Sequence, residues 1–337
     1  GDDVSRVGTI LDTTPMPAVS DAAVAAGLRE PARYMRLAYA PRALAVAPEQ
    51  PTTVFTARDD LVPAKDRLAV VTLIIGSPRD SRDSYLSLAI PNHAAYCRAH
   101  AHDYAVRTGV YAEAAGRMPH WNKLLFLRVL LAGGYDLLFW TDADGVFTRC
   151  ATPLASLALD HVDPLRRASF YFSGDFNTGM NSGQFLIRRR AWSDDFLKRS
   201  WDHFSKTERW PCRQPHDNGG MLMTLTWNRT CRAVGLRPTV SEDDCGTFLA
   251  GLDPAVVAEV TCLPQTAWNS YPPERTLMPP CGAACTAPAD VRARNRLLGS
   301  WRYGHFRLHT AGVGAGRKGD VIRAVLEVAK PLLCPGS

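Results

Sequence analysis

The chain carries at positions 135–144 the stretch Tyr-Asp-Leu-Leu-Phe-Trp-Thr-Asp-Ala-Asp, in which a short apolar run ends in two carboxylates one residue apart. A short apolar run bounded by turn residues is typical of a strand buried in a sheet. In open α/β sheets, ligands bind in the crevice outside the carboxyl ends of the strands. The stretch therefore predicts that Asp142 and Asp144 face such a crevice.

Strand and helix patterns alternate ahead of this stretch. Residues 68–75 form another continuous apolar run, ended by Gly76-Ser-Pro, and this pattern favours a strand buried on both faces of a parallel sheet. Helices are predicted over 84–102 and 121–132, with a short strand over 104–107. The alternation predicts an α/β fold with a Rossmann-like, mostly parallel sheet flanked by helices, in a single large domain.

The rest of the chain adds further elements and two irregular regions. Residues 1–65 are rich in Ala, Val and Pro, so we expect a stalk or an N-terminal wrapping arm there, ahead of the main domain at 66–337. Residues 262–290 are rich in Pro and Cys and predict a loop. The other predicted elements are strands over 169–172 and 183–187 and helices over 192–204, 218–227 and 320–333.

Composition limits the function classes. Hydrophobic residues make up 46% and charged residues 21% of the 337 residues, which allows a large core and argues against wholesale disorder. The formal charge is +6, but the Lys and Arg are scattered, and the densest group, at 188–190, directly follows an apolar run. We therefore predict no nucleic-acid partner. A modest basic excess instead suits a site for anionic diphosphates.

The cysteines indicate an oxidising compartment. The chain has nine, none in a Cys-x-x-Cys pair, and Cys281 and Cys285 lack the His or second Cys pair that a zinc site needs. Several disulfides with one odd thiol are the better interpretation. The sequon at Asn228 agrees with a secretory route. No stretch is apolar enough to span a bilayer, so we expect a lumenal part whose targeting segment lies outside this sequence.

Asp142 and Asp144 are candidate metal ligands. Neighbouring carboxylates repel each other unless a cation lies between them. Hard oxygen ligands suit Mn²⁺ or Mg²⁺, and such an ion would bridge the carboxylates to a diphosphate. The alternative is a turn with two solvated acids.

His309 begins a second candidate site. A neutral imidazole is a good ligand for a transition metal. The glycines that follow, among them Gly312, would let the backbone approach a phosphate, which Lys318 would neutralise. The alternative is a Gly-rich surface loop with a solvated lysine.

Motifs of other catalytic classes are absent from the sequence. It has no Gly-x-Ser-x-Gly elbow, no Walker-type phosphate loop and no His-Glu-x-x-His zinc motif. A glycoside hydrolase needs only two carboxylates, but that function would leave the Asp-x-Asp motif and the Gly-rich loop without a role.

Five segments together resemble the Golgi galactosyl-, mannosyl- and xylosyltransferase family. That family includes yeast α-galactosyl- and α-mannosyltransferases and plant xyloglucan α-xylosyltransferases. The similarity covers roughly residues 68–334, and the motifs occur in the family's order. The five segments are residues 135–144, 180–188, 217–220, 268–271 and 309–312.

The resemblance implies a GT-A fold and a metal-dependent glycosyltransferase that retains anomeric configuration. It implies transfer of an α-linked hexose or pentose from a nucleotide-sugar, most often a UDP-sugar, to a glycan, polysaccharide or glycoprotein. It also implies the Golgi lumen or secretory pathway and a type II membrane anchor. Asp142 and Asp144 match the family's Asp-x-Asp motif, and His309 matches the histidine that completes the shell of Mn²⁺ or Mg²⁺.

Residues near the reacting sugar are also implied. Asp217 matches an acidic residue beside the donor, although it begins a predicted helix and an N-cap role is equally open. Asn218 follows it. Asn181 either hydrogen-bonds sugar hydroxyls or serves as a turn residue. The aromatic residues of the segment 268–271 either stack on a sugar or pack in the core.

Nucleotide contacts complete the expected site. Lys123 and Arg128 lie in a helix that resembles the family's basic helix near the donor. Gly76 and Ser77 follow the first predicted strand, and we expect them at the nucleotide as well.

Departures from the family pattern leave two functions open. The family usually has Gln followed by small residues where this chain has Asn218-Gly-Gly, and often an aromatic residue in place of Thr310. The first function is an active transferase. The second is a catalytically silent relative that acts as a partner subunit or carbohydrate-binding module. The sugar, UDP against GDP, the acceptor and the oligomeric state stay open.

Overall fold

The computed structural model describes residues 42–47, 50–55, 67–74, 85–108, 119–154, 156–157, 168–175, 179–203, 216–226, 239–272 and 299–337. Its strands are β1 (Arg42–Ala47), β2 (Gln50–Phe55), β3 (Leu68–Ile74), β4 (Asp103–Thr108), β5 (Leu137–Thr141), β6 (Gly145–Phe147), β7 (Phe170–Ser173), β8 (Gln184–Arg188), β9 (Val260–Leu263) and β10 (Arg307–His309). Its longer helices are α1 (Leu86–His100), α2 (Asn122–Ala132), α3 (Ala191–Asp202), α4 (His216–Thr226), α5 (Glu242–Ala250) and α6 (Ala315–Ala329).

An eight-stranded sheet runs through the centre in the order β1-β2-β4-β3-β5-β8-β7-β9. Strand β3 pairs in parallel with β4 and β5, and β7 pairs in parallel with β9. Strand β8 is antiparallel to both of its neighbours, β5 and β7. The predicted α/β class is confirmed, with a mostly parallel sheet between helices, as expected of a GT-A fold.

Strand β3 shows why helices cover both faces of the sheet. All of its side chains are buried, and successive side chains point to opposite faces. Val71 packs in one apolar cluster with Leu124 of α2, whereas Val70 packs in another with Ile90 of α1. A strand buried on both faces needs a continuous apolar sequence, which is the pattern that predicted it.

A small second sheet forms beyond the end of β5. The backbone N–H of Gly145 donates to the Asp142 carbonyl over 3.1 Å, and this turn leads directly into β6. Strand β10 pairs antiparallel with β6, and His309 lies opposite Gly145. The pairing therefore brings His309 beside the carboxylate pair.

Three regions differ from the sequence-based expectations. Helix α6 begins at Ala315 and not at residue 320, so Lys318 lies in its first turn and not in a Gly-rich loop. The predicted loop over 262–290 is wrong at its start, because β9 ends at Leu263 and a helical turn spans Gln265–Trp268. Strands β1 and β2 extend the sheet beyond β4 within a region whose Pro-rich pattern predicts no strand.

The physical reasons are tertiary. Val321 and Ile322 of α6 pack in a buried cluster with Ala89 of α1, and this docking stabilises a helix whose glycines give it low intrinsic propensity. Pairing with the free edge of β4 accounts for the hairpin of β1 and β2. The domain boundary between residues 65 and 66 stays a prediction.

Two disulfides fall within the described ranges. Cys150 pairs with Cys334, which ties the chain end to the segment after β6, and Cys245 of α5 pairs with Cys262 of β9. Cys97 is a buried free thiol, while Cys281, Cys285 and the Asn228 sequon lie outside the described residues. Among the helices of the described part, none has the length and apolarity needed to cross a membrane.

Candidate functional site

The turn after β5 presents the two carboxylates. The backbone N–H of Asp142 donates to the Gly183 carbonyl over 2.8 Å, which ties the turn to the start of β8. The Asp142 side chain is 37% exposed, whereas that of Asp144 is 10% exposed. One carboxylate is thus partly exposed to solvent, and the other is nearly buried.

His309 closes a three-residue cluster with these carboxylates, which we call the cation corner (Asp142, Asp144 and His309). Its Nε2 atom lies 3.2 Å from Asp144 Oδ1 and 3.9 Å from Asp142 Oδ2. One candidate ligand atom from each residue lies within 4.8 Å of the others. Nε2 is buried without a hydrogen-bond partner among the described residues. Two carboxylates and an unsatisfied imidazole nitrogen are a donor set that fits a divalent cation such as Mn²⁺.

Lys318 lies on the Asp144 side of the cation corner. Its ammonium group donates to Asp144 Oδ2. Burial alone would raise the pKa of the Asp144 carboxyl, but the Lys318 ammonium bonded to it helps to hold that pKa well below its ordinary value. Asp144 is therefore a carboxylate at neutral pH, as a metal ligand must be.

Lys123, Ser182 and Asp217 form a second cluster, the lysine–aspartate corner. The Lys123 ammonium donates to Asp217 Oδ2 over 2.7 Å and to the Ser182 carbonyl over 2.7 Å. The Ser182 hydroxyl donates to the same Asp217 oxygen over 2.7 Å. Lys123 also lies 3.5 Å from Asp142 Oδ1, so the two corners share one carboxylate.

Electrostatics fix the charges of this second corner. Burial alone would raise the pKa of Asp217, but Lys123 and Ser182 lower it below its ordinary value. Burial alone would lower the pKa of Lys123, but Asp142 and Asp217 raise it. The corner is therefore a buried ion pair with both partners charged.

The predicted substrate residues occupy this region in different ways. Asn218 accepts from the Ser182 N–H over 2.9 Å, which fixes the start of α4 against the loop before β8. Asn181 donates to the Tyr271 hydroxyl over 2.8 Å and accepts from the Gly183 N–H over 2.8 Å. Both polar atoms of Asn181 thus have partners within the protein, and its contact with a sugar stays a prediction.

Other predicted site residues belong to neither corner or lie outside the described ranges. Arg128 pairs with Asp194 of α3 over 2.7 Å, which packs α2 against α3. Gly312 has a φ of 75°, in the left-handed region that favours glycine, and lies in the turn before α6. Gly76 and Ser77 lie outside the described residues.

Trp268 and Tyr271 do not present rings for sugar stacking. Both side chains are 0% exposed. Trp268 packs edge-on against Phe139 of β5, with ring centroids 5.3 Å apart. Packing in the core, the alternative interpretation of this motif, is what the structure shows.

Sequence patterns missed several residues that shape the cation corner. The Trp140 indole N–H donates to Asp142 Oδ1 over 2.8 Å. A Cβ on Gly183 would lie 2.4 Å from the His309 ring and 2.9 Å from Asp142 Oδ2, so only glycine fits there. The Arg307 guanidinium is buried and donates to the Thr141 hydroxyl over 2.6 Å. The strand period of two offers a signal for Trp140, which lies two residues before Asp142.

No family model matches the chain. It is 33% identical over 164 residues to "Probable glycosyltransferase 5" of Oryza sativa subsp. indica, covering 46% of this chain and 34% of that protein. It is 30% identical over 142 residues to "Xyloglucan 6-xylosyltransferase 2" of Arabidopsis thaliana, covering 40% and 30%. The chain thus spans about a third of the length of these curated relatives. The resemblance to glycosyltransferases, including plant xyloglucan xylosyltransferases, is confirmed.

A solved structure also resembles the chain. It is that of a glycosyltransferase involved in the glycosylation of the major capsid of PBCV-1, at 11% identity with a TM-score of 0.46, covering 76% of this chain and 98% of that one.

Proposed function

We propose that the chain is a metal-dependent glycosyltransferase that moves a sugar from a nucleotide-sugar to a carbohydrate or glycoprotein acceptor. The cation corner carries the proposal. Its carboxylates and the unsatisfied, buried His309 Nε2 converge at the end of β5, where open α/β sheets bind ligands. The similarity to proteins named as glycosyltransferases supports the class of reaction.

Asp142, Asp144 and His309 would hold the cation, Mn²⁺ or Mg²⁺. When bound, such an ion neutralises a diphosphate and so stabilises it as a leaving group. Lys318 would serve the same diphosphate, because its ammonium lies at Asp144 beside the proposed cation site. Lys318 lies in the first turn of α6, where the backbone N–H groups also favour anions. A phosphate could therefore compete with Asp144 for its ammonium.

Asp217 acts near the sugar in this proposal. It is ionised, so it can stabilise the positive charge that develops on the sugar carbon, and it cannot serve as a proton donor. Lys123 keeps it in that state and fixes its position. Retention of configuration, an α-linked hexose or pentose and UDP as the carrier are the finer parts of the proposal, and they rest on the family resemblance.

The compartment is proposed from the disulfides. Cys150–Cys334 and Cys245–Cys262 are stable in an oxidising environment and are rare in the cytosol. We place the chain in the Golgi lumen or elsewhere in the secretory pathway, with a type II anchor as the resemblance implies.

Calorimetry followed by a donor panel tests the function. UDP and GDP are titrated with Mn²⁺ or with EDTA, and released nucleotide is then measured for a series of UDP- and GDP-sugars. We expect binding only with the cation, and slow hydrolysis of at least one donor. Binding without turnover of any donor, even with glycan acceptors present, would favour the silent subunit or carbohydrate-binding module. Absence of cation-dependent binding would refute both.

Asp144→Asn and Asp320→Asn are matched variants for this test. Asp144 lies in the cation corner, whereas the Asp320 side chain is 76% exposed on α6. Cation-dependent binding should be lost in the first variant and kept in the second. A loss in both would indicate a general effect of removing negative charge.

A further inference from the structure

Asn269 touches the cation-corner residue whose metal-binding atom depends on its tautomer. Its Oδ1 lies 2.7 Å from His309 Nδ1, and both side chains are buried. A neutral imidazole carries one proton, on Nδ1 or on Nε2, and only the nitrogen without the proton can bind a metal. The tautomer of His309 therefore decides whether Nε2 can serve the cation.

Hydrogen bonding fixes which way the Asn269 amide points. Its Nδ2 donates to the Gly174 carbonyl over 3.1 Å and to the Tyr271 hydroxyl oxygen over 3.2 Å. A carbonyl can only accept, so the nitrogen must face Gly174 and the oxygen must face His309. The amide orientation thus follows from its partners.

A second contact reinforces this orientation. The Tyr271 hydroxyl donates to the Asp175 carboxylate. Because the only hydroxyl proton of Tyr271 is used in that bond, its oxygen can only accept from Asn269. The group that donates to it must therefore be the amide nitrogen. Asp175, Tyr271 and Asn269 form a chain of hydrogen bonds in which each member sets the direction of the next.

This series of hydrogen bonds ends at the cation corner. Because Asn269 Oδ1 is an acceptor, His309 Nδ1 must be the donor, and the lone pair of the neutral ring is left on Nε2. Nε2 is the atom that faces Asp144 and Asp142 and has no hydrogen-bond partner among the described residues. Partners of this kind, often a carboxylate or a backbone carbonyl, orient metal-binding histidines in many proteins.

We propose that Asn269 is a positioning residue that holds His309 in the Nδ1–H tautomer and turns Nε2 toward the cation. The side-chain amide takes the place that a carboxylate or backbone carbonyl has in other metal sites. The proposal rests on the cation corner of the proposed function. It assigns Asn269 no contact with the cation or the substrate.

Mn²⁺ binding and spin-echo spectroscopy test this role directly. The affinity for Mn²⁺ is measured by calorimetry with UDP, and nitrogen modulation of the Mn²⁺ electron spin echo reports a coordinated imidazole. The wild-type chain should show the modulation, and His309→Ala should lack it. Asn269→Leu, which removes the acceptor, should bind Mn²⁺ about 10–100-fold more weakly and lose most of the modulation.

Two further variants separate positioning from general loss of structure. Asn269→Asp keeps an acceptor oxygen at Nδ1 and should keep the modulation. Asn92→Leu is the matched control, because it also removes a buried amide with two hydrogen bonds, both of them to the backbone of Phe147 and neither to His309. It should lower the melting temperature and leave the modulation in the folded protein unchanged.

The outcomes distinguish this proposal from the proposed function. Wild-type affinity and modulation in folded Asn269→Leu would overturn the positioning role and leave the cation corner standing. If Asn269→Leu does not fold, Asn269→Asp decides, since a folded variant without nitrogen modulation would also overturn it. No Mn²⁺ binding by the wild-type chain would overturn both.

Discussion

The two corners of the site share Asp142 but differ in whether their buried polar atoms have hydrogen-bond partners. In the lysine–aspartate corner, the Lys123 ammonium lies between the Asp217 carboxylate and the Ser182 carbonyl, at 2.7 Å from each. In the cation corner, the His309 Nε2 atom is buried beside two carboxylates without a hydrogen-bond partner among the described residues. Breaking a satisfied buried pair leaves an uncompensated charge, whereas an unsatisfied buried nitrogen beside two carboxylates indicates a missing ligand.

The comparison predicts that stability depends most on the lysine–aspartate corner. Lys123→Met leaves the Asp217 carboxylate buried without its cation, and both side chains are only 5% exposed in the wild type. Removing one partner of such a pair costs about 3–5 kcal/mol in the free energy of unfolding. Urea unfolding without metal measures it, with exposed Lys330→Met as the control. A loss no larger than that of the control would mean that water already screens the pair.

Gly183→Ala should disturb the cation corner by adding a methyl group against two of its residues. The new Cβ would lie 2.4 Å from the His309 ring and 2.9 Å from Asp142 Oδ2. Overpacking of this kind costs about 1–3 kcal/mol, and we expect weaker Mn²⁺ binding along with the lower stability. Calorimetry and urea unfolding measure the two effects.

Gly246→Ala is the matched control for this substitution. Gly246 lies in α5, and a Cβ there meets nothing within 4 Å among the described residues. It should raise stability by about 0.4–1 kcal/mol and leave Mn²⁺ binding unchanged. Unchanged binding in both variants would contradict the placement of Gly183 against the cation corner.

Much of the fold and part of the site follow from local sequence patterns. Strand β5 and the helix α2 before it are predicted because their burial requires apolar runs that the sequence displays directly. Asp142 and Asp144 are found because they are neighbours at a strand end. His309 is added by resemblance, and the pairing of β10 with β6 confirms that it lies beside them.

The remaining contacts depend on the path of the chain in space. Lys123 and Asp217 are 94 residues apart, and Asn269 and His309 are 40 apart. The sequence around one residue of such a pair does not indicate which residue it contacts. Contacts over these separations depend on the order of the strands in the sheet. The start of α6 is missed for the same reason, since its docking on α1 outweighs the low propensity of its glycines.

Acid sensitivity is the smallest expected effect. The pKa of Asp217 is lowered in the folded protein, whereas an unfolded Asp titrates at about 3.9. The contribution of its ionisation to stability is therefore complete above about pH 4 and is lost as the pH falls through the folded pKa.

Asp217→Asn, which cannot ionise, should show this directly. The difference in free energy of unfolding between wild type and variant should be largest near pH 6 and shrink as the pH falls below about 4. Urea unfolding at several pH values without metal, with Asp320→Asn as the surface control, measures it. A difference that is constant with pH would contradict the ionised, buried state of Asp217.

Mn²⁺ titration of wild type and His309→Ala in the presence of UDP tests the central claim most directly. If the unsatisfied Nε2 is a metal ligand, His309→Ala should lose more Mn²⁺ affinity than the roughly 10–100-fold that removing an outer-shell partner usually costs. The substitution also removes a buried ring and its hydrogen bond to Asn269, so urea unfolding without metal first establishes that the variant is folded, and the affinities are compared on folded protein. Wild-type Mn²⁺ affinity in the variant would contradict the account.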